Sequence, residues 1–289
     1  MYKGGILLLR CKTFITIAAL LTLSGTIVSG CSSSSVSPAS SEVPSESSNV
    51  AGIEFPPVLQ EGIREALRLE PGSEIKEEDL TNIEHLHLQG NHDIVDLTGV
   101  KKLTHLQSIE LHYVHTENYD FLYSLPNLAY LEIRGITASQ LPDFHRLKLK
   151  NLNLYDGDIT TLDFLSGLKH LSYLTVMHNQ LENLNGIQDI TGLKGLRISY
   201  NPVSDINVIK KFDQLERLEI RSTNVKDISV LSNLTHLKHL DIRDTEIDTV
   251  SPISELPNLQ LLELTKAKIN DLDKLPNNVR VSEETIHEY

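Results

Sequence analysis

Four side chains have the types and spacing to react together: His85, His87, Glu110 and His112. Two histidines two apart on a strand point the same way, and a neighbouring strand lies about 4.8 Å off. Such a cluster could hold zinc with one coordination position open, the arrangement a zinc-dependent hydrolase needs. The chain scatters twelve histidines along its length, however, so surface histidine is the default and no metal or other cofactor is expected. A second group suits contact rather than reaction: Tyr130, Arg134, Tyr155, Tyr173, Met177, Arg197 and Tyr200. Exposed Tyr and Arg on a rigid face are what binding hot spots are enriched in. With no glycine-rich phosphate loop, activated serine or paired-carboxylate motif, no catalytic residue is assigned and the chain is read as non-enzymatic.

What must position these residues is a repeat. Aliphatic residues open successive units at Ile83, Leu106, Leu128, Leu149, Leu171, Leu193, Leu215, Leu237 and Leu259, at spacings of 21–23 residues. Within a unit, apolar residues return at offsets 3, 5, 10, 13, 16 and 19, as in Leu218, Ile220, Val225, Ile228, Leu231 and Leu234. Alternation by two marks a strand, and recurrence by three marks a tight 3₁₀-like or extended segment. No unit can bury its own apolar face, whereas nine stacked units bury a continuous core. The expected fold is an α/β solenoid: a right-handed leucine-rich-repeat horseshoe with a parallel concave sheet, a 3₁₀ or coil convex side and an N-terminal helical cap. Prolines 56 and 57 followed by Leu59, Ile63, Ala66 and Leu67 predict the cap helix, with a shorter helical stretch near Ile75 to Leu80. Val279 and Val281 look like a truncated last strand, with Ile286 tucked beneath it.

Offsets 2, 4 and 6 of each strand should then face solvent on the concave side. Those 27 positions hold five acids and five arginines, so this face is formally neutral on a chain of net charge −13. The acid excess argues against nucleic-acid binding, which needs a basic face. Arg217, Glu219, Arg221, Asp241 and Arg243 are expected to form a cross-strand charge lattice. Asp and Asn dominate offset 12, from Asp96 and Asn118 to Asp227 and Asp271, where they would cap the short turns. At offset 8, Asn91, Asn179 and Asn201 are hydrogen-bonding candidates and Thr223 and Thr245 partial substitutes, but Val114, Ile136, Gly157 and Ala267 cannot serve. A bend or widened groove is expected near Val114, Ile136 and Gly157.

The first fifty residues differ in kind. Lys3, Arg10 and Lys12 flank an apolar run from Phe14 to Val28, shorter than a spanning helix and typical of an export signal. It ends on Val28-Ser29-Gly30-Cys31, which resembles the lipobox of bacterial lipoproteins; the resemblance implies acylation of Cys31. Ten of residues 32–50 are serine, which describes a disordered tether. The expected divisions are a signal peptide at 1–30, a tether at 31–53, a cap at 54–82, repeats at 83–281 and a tail at 282–289.

The stretch from Phe55 to Leu88, with units such as Leu215-Glu-Arg-Leu-Glu-Ile-Arg-Ser-Thr-Asn-Val-Lys-Asp-Ile, resembles internalin-type leucine-rich repeats of Gram-positive bacteria. That resemblance implies protein recognition on the concave face. The chain departs from wall-anchored members in having no sortase signal, and a lipid at Cys31 would replace that anchor. The expected protein is a monomeric module, lipid-anchored on the extracellular side of the cell membrane, that binds a protein, peptide or glycan. A structural envelope spacer is the other non-catalytic reading.

Overall fold

A computed structural model describes residues 54–91, 93–265 and 269–283. The export signal, Cys31, the tether, Ala267 and Ile286 lie outside the described residues. The chain divides into two compact units, Met1–Asn49 and Val50–Tyr289, and every described residue lies in the second.

Ten strands form one parallel sheet in sequence order: β1 (His85–Gln89), β2 (Ser108–His112), β3 (Tyr130–Arg134), β4 (Asn151–Tyr155), β5 (Tyr173–Met177), β6 (Gly195–Arg197), β7 (Arg217–Glu219), β8 (His239–Asp241), β9 (Leu261–Leu264) and β10 (Arg280–Glu283). Neighbours pair offset for offset, His87 with Glu110, Glu110 with Glu132 and Arg197 with Glu219. The 23-residue first unit and the 21-residue third therefore take up their extra or missing residue in the connections. In the third, two short 3₁₀ turns at Ala138–Gln140 and Phe144–Arg146 replace one longer turn. The sheet runs through this region in register, so the bend anticipated beside Ile136 and Gly157 does not break the pairing.

The three-residue apolar recurrence has a direct geometric cause. Leu231, Leu234 and Leu237 each donate a backbone N–H to the carbonyl three residues earlier, on Ile228, Leu231 and Leu234, at 2.9 Å. A 3₁₀ turn eclipses side chains at i and i+3, so each residue that closes the turn also points into the stack. All four, with Leu218, Ile220 and Val225, are buried.

The polar ladders hold these connections in place. Asp96, Asn118, Asn183, Asp205 and Asp227 each accept the backbone N–H two residues on. These are Asx turns, and at Asp96, Asn118, Asp205 and Asp227 they stand one residue before the helical N-cap rather than being caps themselves. Asp271 instead serves the preceding repeat, accepting from Val250 N–H and the Thr249 hydroxyl at 2.7 Å. Asn179 and Asn201 accept from the preceding repeat (Ile159 and Leu181) and donate to carbonyls of Leu154 and Val176, tying successive units together. Thr223 and Thr245 donate within their own units, to Ile220 and Ile242. Asn91 is no part of this ladder, since its side chain pairs with exposed Asp93. Gly157 lacks a side chain of necessity: a Cβ would lie 2.4 Å from the Ile136 carbonyl oxygen and 2.7 Å from Asn179 Oδ1.

Helix α1 (Pro57–Leu67) closes the N-terminal end, with Phe55, Leu59 and Ile63 buried against the stack. Ala66, expected on the apolar face, is exposed, and Gly62 takes the buried position. A Cβ on Gly62 would meet Leu88 at 2.4 Å and the His87 carbonyl at 2.7 Å, so the helix rests flush on β1. A 3₁₀ turn at Glu77–Asn82 follows, and β10 continues to Glu283, two residues past the expected end of the repeats.

Two stability tests follow from this packing. Leu218→Ala should cost about 2–5 kcal/mol, because neighbouring units cannot collapse into the space it leaves; an unchanged denaturation midpoint would contradict the inward assignment. Burial opposes ionisation of Asp271, but the Val250 N–H, the Thr249 hydroxyl and Lys274 outweigh it and hold the carboxyl down to about 2. A depressed carboxylate stabilises the fold above its ordinary value, and that stabilisation is lost as pH falls through about 2. Asp271→Asn should therefore cost about 1–2 kcal/mol at pH 6 and lose most of that deficit between pH 4 and 2 in parallel urea titrations.

Candidate functional site

The concave face is layered rather than simply solvent-facing. Adjacent strands stand about 4.8 Å apart, so long side chains on either side fold over the middle row. Glu132, Thr175, Glu219 and Asp241, expected to face solvent, are each no more than 6% exposed. Tyr155, also expected as a contact, is buried too, because the Arg134 guanidinium lies 4.2 Å over its ring.

Glu132 organises the N-terminal half of the face. Its Oε2 accepts from the Tyr130 hydroxyl at 2.8 Å and from Asn153 at 3.2 Å, while Oε1 accepts from Arg134 Nε at 2.9 Å. His112 Nε2 lies 2.9 Å from the same Oε1. Burial resists ionisation of Glu132, but bonds from Tyr130, Asn153 and His112 and the charge of Arg134 hold its carboxyl below the usual range. Burial and the Glu132 carboxylate correspondingly push the Tyr130 phenol up.

Glu219 plays the same part in the C-terminal half. Arg197 donates to its Oε2 at 2.7 Å from the neighbouring strand, and Arg217 to its Oε1 at 2.5 Å from its own. Arg243 forks onto Asp241 at 2.6 and 2.9 Å and approaches Glu263 at 3.4 Å. The expected charge lattice is thus present, built as much along strands as across them.

Between the two carboxylate centres lies a window without formal charge. The outward residues of β4 and β5 are Asn151, Asn153, Tyr155, Tyr173, Thr175 and Met177. Tyr173 is 46% exposed, and among the described residues it shares the status of exposed large apolar side chain with Ile94 alone. Its ring rests over Gly195, where a Cβ would stand 2.8 Å from Cδ1. Met177 and Arg197 are partly exposed beside it, whereas Tyr130 is tied to Glu132.

Tyr200 belongs to a feature the sequence hid. Tyr113, Gly135, Asp156, His178, Tyr200, Ser222 and Asp244, one after each of strands β2 to β8, all adopt left-handed backbone with φ between 51° and 78°. Only one is glycine, so no compositional signal marks the row. Side-chain contacts along it offset the strain: Tyr200 stacks on His178 at 4.1 Å, and the Tyr113 hydroxyl reaches across Gly135 to donate to Asp156 at 2.8 Å. Tyr200 is therefore half-buried edge structure, not part of the β5 window.

Of the histidine cluster, His87, Glu110 and His112 come together, their ligand-capable atoms all within 4.8 Å of one another. His85, exposed on β1, is not one of the three; it lines a cleft of about 260 Å³ between α1 and the strands, with Glu65, His87, Ser108 and Glu110. A cleft of about 470 Å³ lies away from this face, under the connections leaving β1 and β2 and lined by Asp96, Asn118 and Phe121 among others.

An open parallel sheet with 3₁₀ connections and a capping helix defines a leucine-rich-repeat scaffold, and its ordered polar and aromatic face is that of a protein-binding module. Among solved structures it is similar to internalin C2 of Listeria monocytogenes, at 27% identity and a TM-score of 0.61, over 72% of this chain and 93% of that one. Internalin F of the same organism matches at 26% identity and a TM-score of 0.63, over 78% of this chain and 68% of that one. A leucine-rich-repeat protein of Leptospira interrogans, at 20% identity and a TM-score of 0.58, over 72% of this chain and 56% of that one, shares the fold. The sequence matches no protein-family model and no curated protein. The internalin-type fold is typically a non-enzymatic binding scaffold.

Glu132→Gln keeps the shape of the Glu132 centre but removes the charge that four partners share. It should cost about 1–3 kcal/mol at neutral pH and bring the Tyr130 phenol back towards its ordinary value, read by denaturation and by absorbance titration of tyrosinate.

Proposed function

We propose that this protein is a cell-surface recognition module, lipid-anchored through Cys31, that binds a protein, peptide or glycan partner on its concave face. The observation that carries the reading is the uncharged β4–β5 window with Tyr173 at its centre. Elsewhere on the face the carboxylates already have partners, and a ligand would have to desolvate or replace them. At Tyr173 a partner buries apolar area without breaking an ion pair, in the central position that hot spots occupy. Arg134, Met177 and Arg197 form the rim of that contact, and Tyr130 and Tyr155 support it from beneath. Anchoring rests on the basic flank, short apolar run and lipobox-like Val28–Cys31 alone.

Photo-crosslinking from position 177 on intact cells, beside a control at convex Lys226, tests the face. A partner captured from 177 should be lost or reduced at least tenfold in Tyr173→Ala. It should also fall in Gly195→Ser, which lifts the ring without removing it. Equal capture by both variants would refute the window, and no specific capture at all would favour the spacer. For the anchor, Cys31→Ser should release the protein from the membrane or leave an unprocessed precursor; lipid modification persisting in that variant would refute the site.

A further inference from the structure

We propose that His87, Glu110 and His112 form a binding site for a divalent transition-metal ion of the zinc class at the N-terminal end of the concave face. The site does not depend on the partner proposed for the β4–β5 window.

The sheet register builds it. His87 sits opposite Glu110 across β1 and β2, and His112 follows Glu110 by two residues on the same face. His87 Nδ1 lies 3.4 Å from Glu110 Oε2, and His112 Nε2 lies 4.0 Å from that oxygen. A tetrahedral ion with bonds of about 2.0–2.1 Å separates its ligand atoms by about 3.3 Å. The first pair already stands at that distance, and a small rotation of the His112 ring supplies the second. The two imidazole rings meet edge to face at 4.5 Å.

The donor set chooses the ion. Two imidazoles and one carboxylate favour zinc and its first-row neighbours over calcium or magnesium, which take oxygen ligands. Local charge also favours a cation, since Glu110 and Glu132 outweigh Arg134 by one negative charge. The cleft of about 260 Å³ beside His87 and Glu110 leaves the fourth position to water or to an incoming ligand.

The ion would be coupled to the rest of the face through His112. Its Nε2 faces Glu132 Oε1 at 2.9 Å and Arg134 Nε at 3.3 Å. An ion taking that nitrogen repels the guanidinium, whose free direction is towards Asp156, already 3.9 Å from its Nη1. Arg134 therefore opposes the ion in the resting arrangement, and its removal should strengthen binding.

Titration of the chelator-washed full chain with zinc chloride by calorimetry tests this, with imidazole resonances followed in parallel by NMR. One zinc per chain is expected, moving the ring signals of His87 and His112. His87→Gln/His112→Gln should weaken uptake at least about 100-fold, more than loss of an outer partner commonly does. Arg134→Gln should tighten it several-fold, and His239→Gln, on the distant Glu263 pair, should leave it unchanged. No saturable uptake by the wild type would overturn the site. So would uptake by the double histidine variant equal to the wild type, or an equal loss in His239→Gln.

Discussion

Everything in this molecule depends on the inability of a 22-residue unit to bury its own apolar side chains. Ile228, Leu231 and Leu234 find cover only against the corresponding residues of the units before and after. Stacking must therefore keep every unit in the same register, and the strands have no freedom to slide: a shift of one residue would turn Leu218 and Ile220 outwards. The constraint also explains where irregularity is allowed. Units of 21 and 23 residues keep their strands aligned and differ only in the connections, where surplus chain meets solvent.

The same stacking dictates the chemistry of the opposite face. Parallel strands bring side chains of like offset side by side, so the middle row is too crowded to remain wet. Carboxylates placed there lose hydration and need donors in return. Arg134, Tyr130 and Asn153 supply them for Glu132, Arg197 and Arg217 for Glu219, and Arg243 for Asp241. Arginine neutralises three of the five acids in this way; Glu110 lies beside His87, Glu263 beside His239 and Arg243, and Arg221 turns to Asp244 past the strand.

Much of this was legible because it recurs. Aliphatic residues at fixed offsets gave the strands, the 3₁₀ connections and the identity of the core, and Asp or Asn at offset 12 marked where the turns begin, although as Asx turns one residue ahead of the expected caps. The cap helix was legible from its prolines and spacing, but not its docking surface: Gly62 lacks the apolar side chain that a periodicity argument counts, and a glycine matters there for what it omits. The left-handed row was hidden for the opposite reason. Tyr113, Asp156, His178, Tyr200, Ser222 and Asp244 share a conformation and no chemistry, and the units impose it on whatever residue falls there. Tyr155 was misplaced as an exposed contact because alternation says which side of a sheet a residue faces, and nothing about what a neighbouring arginine lays over it.

The face is therefore divided by cost of desolvation, not by charge alone. At β3 and at β7 the polar groups are already satisfied, so an approaching surface must match those bonds or lose free energy in breaking them. At β1 and β2 two imidazoles and a carboxylate converge, an arrangement suited to a small cation although His112 is shared with Glu132 and Arg134. Only β4 and β5, between the carboxylate centres, combine shape with cheap desolvation. Gly195 lets the Tyr173 ring lie flat, so the ring keeps its exposed side without paying rotamer entropy on contact. A partner selected by this face would then take its affinity from the window and its orientation from the charged groups on either side.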